Sequence, residues 1–505
     1  MRLKINLFLL LMTSIIPLCV NAQQVNTLYF MEDVPVRHFL NPSFQPTTDY
    51  YLSLPVIGFT QFAVGNNSLT LKDVIFSENG NTVSFLNSLA NEQRFYNTLK
   101  PTTVIRTDIQ TNLLSLGFRH ESAYLTFSLT EKADGVLNLS KDLFQLSLFG
   151  TANIQNNTFD FTNLEANISV YTEAALGYST QLNKKWLVGG KLKLLIGSAN
   201  ILNTNNQLVL QSGAEKWVLQ GTGTVNYSGP VKLNIASNYQ SISYTTPSSI
   251  TDWLKPSGIG AGIDAGFEYR YSKKIKFSAA INDLGFIRWS KNVQNNPYKV
   301  DYTFNGVKSF DNSSTVNTYR DVYNKLVLNN YLVDSIVAAF KTSSSSNLTS
   351  NSYTTTTTAK INLGFEYSLI KDQLSFGLLS YSQLFKNTVA EELTASVNSK
   401  PYKWLNASLS YSVFNGRLST IGAGVGIKAG IFHWFLAADY IPFQKTSLSL
   451  SELGLTNSNL TIPIPYNSTS FNLSVGLNLV LDKKINLRKG LLHKNKKQDC
   501  NCDWN

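Results

Sequence analysis

The sequence predicts an all-β fold, a transmembrane antiparallel β-barrel behind an export signal, and three observations predict it. Apolar and polar residues alternate over runs of about ten residues, the length a strand needs to cross a bilayer. No stretch after residue 22 reaches about 18 uninterrupted apolar residues, so no transmembrane helix is expected. Only 15% of residues are charged and the polar positions are filled mainly by Asn, Ser and Thr, which favours strands and turns over helices.

The chain opens with Arg2 and Lys4, the apolar runs Leu7 to Met12 and Ile15 to Val20, and a small-residue cleavage site at Val20-Asn21-Ala22. Residues 1–22 therefore read as a signal peptide, and Gln23 as the first residue of the mature chain. Thr13, Ser14 and Pro17 interrupt the apolar core, which is too short for the roughly 20 residues of a membrane anchor. Leu18 is too bulky to make Cys19 a lipidation site.

Residues 23–482 are assigned to the barrel domain, with 23–60 as a plug or lead-in. The segment from Val25 to Pro55 carries Pro35, Pro42, Pro46 and Pro55 and cannot donate the full hydrogen-bond ladder of a central strand. Leu40, Asn41, Pro42, Phe44 and Pro46 are expected to fold against the lumen or the periplasmic mouth. Asn41-Pro42 would start a turn, and Phe39 and Phe44 would dock on the inner wall. The alternative is a solvated lead-in.

Alternation is clearest at Lys360 to Leu369, Trp404 to Val413 and Phe471 to Leu481. In the last, Asn472, Ser474, Gly476 and Asn478 are expected to face the lumen while Val475 and Leu477 face lipid. Further strands are expected at Asn112 to Arg119, Tyr124 to Thr130, Asn167 to Leu182, Trp186 to Ala199, Gly258 to Tyr271, Lys274 to Arg288 and Leu374 to Leu384. Ser419 to Phe443 reads as two strands turning near Gly430. Tyr50, Tyr51, Trp186, Trp289, Tyr402, Trp404, Phe432, Trp434, Tyr440 and Phe443 sit near strand ends, as an interfacial aromatic girdle would require. Val83 to Leu99 and Asp321 to Phe340 have helical spacing and are placed outside the wall as short helical insertions.

The parity that faces inward carries Lys185, Lys191, Lys193, Arg270, Lys274, Lys276, Lys360 and Lys428 against Glu173, Asp264, Glu268, Glu366 and Asp439. Lys191, Lys193, Glu268, Arg270, Lys276, Glu366 and Lys428 are singled out as lumen-facing charges. Charges in such a place usually pair, so a salt-bridged interior is expected rather than an anion-selective wall. The formal net charge is +11, or +9 without Arg2 and Lys4 of the signal, and more than half of that remainder sits in residues 483–505, a basic tail with seven Lys or Arg against two Asp. No nucleic-acid motif accompanies it. Cys500 and Cys502 are the only cysteines after residue 22, which excludes a disulfide framework and leaves too few ligands for a closed metal site.

The opening Leu28-Tyr29-Phe30-Met31-Glu32-Asp33-Val34-Pro35, then Leu40-Asn41-Pro42-Ser43-Phe44-Gln45-Pro46 and Tyr51-Leu52-Ser53-Leu54-Pro55, resembles an uncharacterised family of outer-membrane barrels of Bacteroidota-type bacteria. Arg106 to Gln110 with Leu113 to Arg119, and Ile281-Asn282-Asp283-Leu284-Gly285-Phe286-Ile287-Arg288-Trp289, are similar to the same family. The resemblance spans residues 25 to about 480 and brings no established activity with it. Its architecture is similar to that of the long-chain fatty-acid transporter (FadL-like) barrels, which implies about 14 strands, within a range of roughly 12 to 18, and an N-terminal plug.

Two constellations look like fragments of enzyme sites without amounting to one. Gly260-Ala261-Gly262-Ile263-Asp264-Ala265 fits a loose dinucleotide fingerprint, but the alternation of a strand continues through it. His120-Glu121-Ser122 places a base near a nucleophile, but between two strands, as a turn. No enzyme activity and no cofactor are expected. The function expected is transport or a channel for hydrophobic or amphipathic solutes in the outer membrane of a Gram-negative bacterium, with outer-membrane lipid around it and a small hydrophobic solute or a protein as partner. A non-conducting scaffold barrel of a secretion or surface-assembly complex and a secreted soluble β protein stay open as alternatives.

Overall fold

Long alternating strands can satisfy their backbone groups in lipid only by closing on themselves, and in the computed structural model they do. The structure describes residues 26–482 except 79–80, 85–91, 150–156, 214–215, 236–241, 248, 250–251, 253–254, 305–348, 372, 385–388, 415–416, 442–444, 450–460 and 466–469. The expected signal peptide, the basic tail with Cys500 and Cys502, and the expected helix at Asp321 to Phe340 lie outside the described residues.

Fourteen antiparallel strands form one closed wall. They are β1 (Tyr50–Ser53 and Thr60–Asn66), β2 (Thr102–His120), β3 (Ala123–Ser140), β4 (Glu165–Gln181), β5 (Trp186–Ser212), β6 (Gly258–Arg270) and β7 (Ile275–Trp289). The ring continues with β8 (Tyr353–Thr356 and Ala359–Ile370), β9 (Leu374–Leu384), β10 (Val389–Tyr402), β11 (Leu405–Phe414), β12 (Arg417–Ala429), β13 (Phe432–Ile441) and β14 (Ser470–Leu481). Both pieces of β1 pair with β14, from Tyr50↔Leu481 to Gly65↔Ser470, and the same pieces pair with β2 on their other side. The ring has no open edge.

The faces of this wall are inverted relative to a protein that folds in water. Leu192 is 71% exposed, Leu176 64% and Leu409 63%, whereas Asn472, Ser474 and Asn478 are fully buried on the inner side. An apolar exterior around a polar interior is what a bilayer selects. The turns at residues 121–122, 182–185, 271–274, 403–404 and 430–431 are short and share one rim, which marks it as periplasmic. Tyr50, Trp186, Tyr402, Trp404 and Phe432 are exposed there as a girdle. Tyr51 and Trp289, expected in that girdle, are buried inside instead. At the other rim β5 rises beyond the wall, pairs with Trp217–Ser228, and this strand pairs with Val293–Phe304, building a ribbon.

Most strands expected from alternation are present, and β2, β3 and β5 run further than their patterns suggested. β1 and β10 were not foreseen. Of the helix expected at Val83 to Leu99, the described part is α1 (Glu92–Thr98), while Asn81–Ser84 is a strand paired with Ile75–Glu78. The ladder also ends the plug earlier than residue 60, because Tyr50–Ser53 already belong to the wall.

Two irregularities matter for the lumen. Six residues, 54 to 59, interrupt β1 and bow outward, with Val56 and Ile57 more than half exposed and Val56 at φ 66°. A β-branched residue at positive φ is strained. The interruption is nevertheless closed by hydrogen bonds from the Val56 N–H to the Asn112 carbonyl and from the Leu477 N–H to the Ile57 carbonyl, each 2.8 Å. In β7 a bulge sets Asn282 and Asp283 opposite Asp264, with Asp283 at φ 59°. The extra residue flips the parity of the strand, so Asp283, Ile287 and Trp289 face inward beyond it.

Candidate functional site

The segment from Asn26 to Asp49 lies inside the barrel rather than in its wall. Asn26–Leu28 and Pro35–Phe39 form short 3-10 turns, the second begun by a proline whose fixed φ suits a first helical position. Leu28, Tyr29, Phe30, Met31, Val34, Val36, Leu40 and Phe44 form one apolar cluster that meets Phe59, Leu379 and Phe435 of the wall.

Each residue named for the plug has a wall or plug partner. The Leu40 carbonyl accepts from the side-chain amides of Asn282, at 2.7 Å, and Asn362, at 3.0 Å. The Asn41 amide donates to the carbonyls of Ala279, at 3.3 Å, and Phe267, at 3.4 Å, while its own oxygen accepts from the Ser43 N–H at 2.9 Å. Pro42 passes so close to Gly189 that a Cβ there would collide with its carbonyl. Phe44 meets Tyr29 edge-on at 5.1 Å and lies under the Arg37 guanidinium at 4.3 Å. The Pro46 carbonyl accepts from Arg119 at 2.5 Å, which ties the end of the plug to the periplasmic rim. Further in, Thr27 bonds Ser410 at 2.6 Å and also Asp439, and Glu32 pairs with Lys276.

His38 belongs to the same face. Its Nε2 meets the Tyr51 hydroxyl at 2.6 Å, and Tyr51 in turn meets Ser115 at 2.7 Å. Burial, with the Lys191 ammonium nearby, holds the His38 imidazole well below its usual range.

The wall charges sort into two sets. Lys276 pairs with Glu366 at 3.3 Å as well as with Glu32, Arg270 with Glu268 at 2.7 Å, Lys428 with Asp482 at 3.6 Å, and Lys191 lies over the Phe39 ring at 4.5 Å. Lys193 belongs to a larger group. It contacts Asp283 at 2.6 Å, Asp264 at 2.7 Å and Glu173 at 3.2 Å; Lys132 contacts Glu173 and Asp283, each at 2.9 Å; Lys360 contacts Asp108 at 2.6 Å and Asp283 at 3.4 Å. Asp283 is the hub, and the bulge of β7 is what turns it inward. Residues 106–108, 134–136, 355–358, Tyr171 and Gln383 line a cavity of about 30 Å³ on the extracellular side of this layer.

Asp108, Lys132 and Asp283 were not among the charges singled out from the sequence as lumen-facing. Asp108 and Lys132 lie on stretches of β2 and β3 beyond the expected ends, where Glu131 beside Lys132 hides the alternation. A signal for the first existed in Ile105, Thr107 and Ile109, which alternate with Arg106, Asp108 and Gln110. His120-Glu121-Ser122 forms the exposed turn between β2 and β3, with Glu121 at φ 53°, and Gly260 to Ala265 lie within strand β6.

A model described as a family of unknown function, DUF5723, matches residues 42–439. The chain belongs to this family. The match takes in the interior segment from Pro42 onward and the Asp283 bulge, and ends before β14. No curated protein matches the sequence. Among solved structures the chain is similar to the toluene transporter TbuX of Ralstonia pickettii, with 7% identity, TM-score 0.40, and 89% of this chain and 94% of that one covered. It is also similar to the P. putida toluene transporter TodX, with 9% identity, TM-score 0.38 and coverage of 89% and 92%. A third likeness is to a Pseudomonas aeruginosa FadL homologue, with 9% identity, TM-score 0.35 and coverage of 87% and 91%. At these scores the closed ladder itself, not the likeness, carries the description of the fold.

Proposed function

We propose that this DUF5723 barrel is an outer-membrane transport module for hydrophobic or amphipathic solutes, with residues 26–49 as a displaceable plug. The observation that carries the reading is the way the plug is held: by hydrogen bonds, rings and ion pairs, with no covalent tie to the wall other than the chain itself. The toluene transporters TbuX and TodX are named for hydrophobic solutes, which is in keeping with this reading. The inner wall, rich in Asn, Ser and Thr, suits the amphipathic end of the range, since a polar group on the solute can replace hydrogen bonds that the plug gives up.

A reversible lock tests it. Thr27 and Ser410 place their hydroxyls 2.6 Å apart, so Thr27→Cys with Ser410→Cys can join plug to wall by a disulfide. Uptake of labelled amphipathic solutes by cells carrying the oxidised protein is expected to stop and to return on reduction. Uptake that is the same with the lock closed would remove the plug from the mechanism.

A further inference from the structure

The charged group around Asp283 does more than line the wall. On each strand that carries both kinds of contact, the charge lies on the extracellular side of the plug contact. Lys193 lies beyond Gly189 on β5, Asp264 precedes Phe267 on β6, Asp283 follows Asn282 on β7 and Lys360 precedes Asn362 on β8. Plug and charges therefore occupy successive levels of one lumen.

Two of the ion pairs run from wall to wall. Lys360 on β8 meets Asp108 on β2 at 2.6 Å, and these strands stand six positions apart in a ring of 14. Lys132 on β3 meets Asp283 on β7 at 2.9 Å, four positions apart. Side chains in contact from β2 to β8 and from β3 to β7 narrow the lumen at that level. The members are well satisfied: Lys132 and Lys360 each touch two carboxylates and Lys193 three. Removing a partner from such a buried pair leaves an uncompensated charge, so the closed arrangement holds itself together.

We propose that this ionic layer is a second gate, in series with the plug and on its extracellular side, with Asp283 as the group on which it closes. The proposal rests on the transport reading above. It adds that displacement of the plug alone does not open a path: the bridges from β8 to β2 and from β3 to β7 must part as well, and a solute arriving from outside meets them first.

Thiol access in the full-length chain tests the gate without any transported solute, so its failure and the failure of the transport reading are separate results. In a Cys500→Ser/Cys502→Ser background, Thr358→Cys places a thiol in the cavity above the layer and Asn362→Cys places one below it, against the plug. Whole cells are treated with a small, cationic, membrane-impermeant methanethiosulfonate. Thr358→Cys is expected to react with the layer intact or broken. Asn362→Cys is expected to react at least tenfold faster once Lys132→Ala and Lys360→Ala remove the wall-to-wall bridges. If Asn362→Cys reacts as fast as Thr358→Cys with all bridges present, the layer is no barrier. If it stays unreactive after they are removed, the barrier lies elsewhere, and either result overturns the proposal. Heat-dependent gel mobility confirms that each version is a folded barrel. Should the double lysine variant fail to assemble, Asp108→Asn with Asp283→Asn serves in its place, because together they remove the carboxylates of both wall-to-wall bridges and Asn tolerates the positive φ at 283; acceleration at Asn362→Cys is again expected, and its absence again overturns the gate.

Discussion

The two levels of the lumen are closed by different chemistry. The plug is held by many neutral contacts, amides on carbonyls at Leu40 and Asn41 and ring on ring at Phe39 and Phe59, whose centroids lie 5.3 Å apart, with separate ion pairs of Glu32 with Lys276 and Asp33 with Lys400 beside them. The layer above it is held by charge, with three lysines converging on one bulged carboxylate. Neutral hydrogen bonds contribute only about 0.5 to 1.5 kcal/mol each, so a segment held by them can leave and return. Buried ion pairs are all-or-none by comparison, because a lone partner is costly. The lower closure is built to be exchanged and the upper one to be either shut or broken.

The comparison breaks most visibly at its hub. Asp283→Ala removes a carboxylate shared by three lysines and puts a Cβ with no hydrogen-bonding group into a positive-φ position, and it is expected to destabilise the barrel by about 3 to 5 kcal/mol. Urea titration followed by heat-dependent mobility measures this, and a loss below about 1 kcal/mol would mean that the layer contributes little. The wall supplies the reference for both levels. Val475→Arg on the lipid face should cost about 2 to 4 kcal/mol in the same titration. Ser474, its inward neighbour, is fully buried, with Gln61 at 3.5 Å, and Ser474→Arg should impair assembly too.

Asn41→Ala sharpens the plug side, with an expected loss of about 1 to 3 kcal/mol in plug docking, read as faster amide exchange over residues 26–46 and unchanged exchange in β14. Equal acceleration in both would show plug and wall to be one cooperative unit. The smallest effect is a dependence on pH. His38 is held neutral by burial, so its folded pKa lies below the unfolded value of about 6.5. The released form binds more protons, and docking of the plug therefore weakens as pH falls below about 6.5, continuing until the folded pKa is reached. Amide exchange over residues 26–46 should be faster at pH 5 than at pH 7.5, and His38→Gln should reduce that difference.

What the sequence made legible follows its periodicity. Lys360 to Leu369 alternates without a break, and its strand is found where the alternation places it. The plug was legible for the opposite reason, since four prolines in Val25 to Pro55 forbid a full ladder, although Tyr50–Ser53 escaped that inference by pairing between prolines. Asp283 was hidden because a bulge reverses the meaning of every position after it, and Trp289 was placed outside for the same cause. Adjacent apolar residues mark a second such point, where Leu113 and Leu114 follow Asn112 at a register shift in β2, opposite the interruption of β1. Period-two reasoning fails at bulges, and in this lumen a bulge supplies the central carboxylate.

The seam between β1 and β14 has a consequence for biogenesis. β1 follows the plug directly in the chain, and β14 is the last strand made, so the ring can be completed only when the final segment finds the first. Rings and carbonyls of the plug are seated in recesses at Gly189, Gly266 and Gly377, where a methyl group would collide with them. A segment fitted so closely, and attached to one of the two strands that meet at the seam, is most simply placed before that seam is sewn. The N-terminal segment would then act as a template on which the barrel is wound, and its release during transport would be a later and partial reversal of an event in its own synthesis.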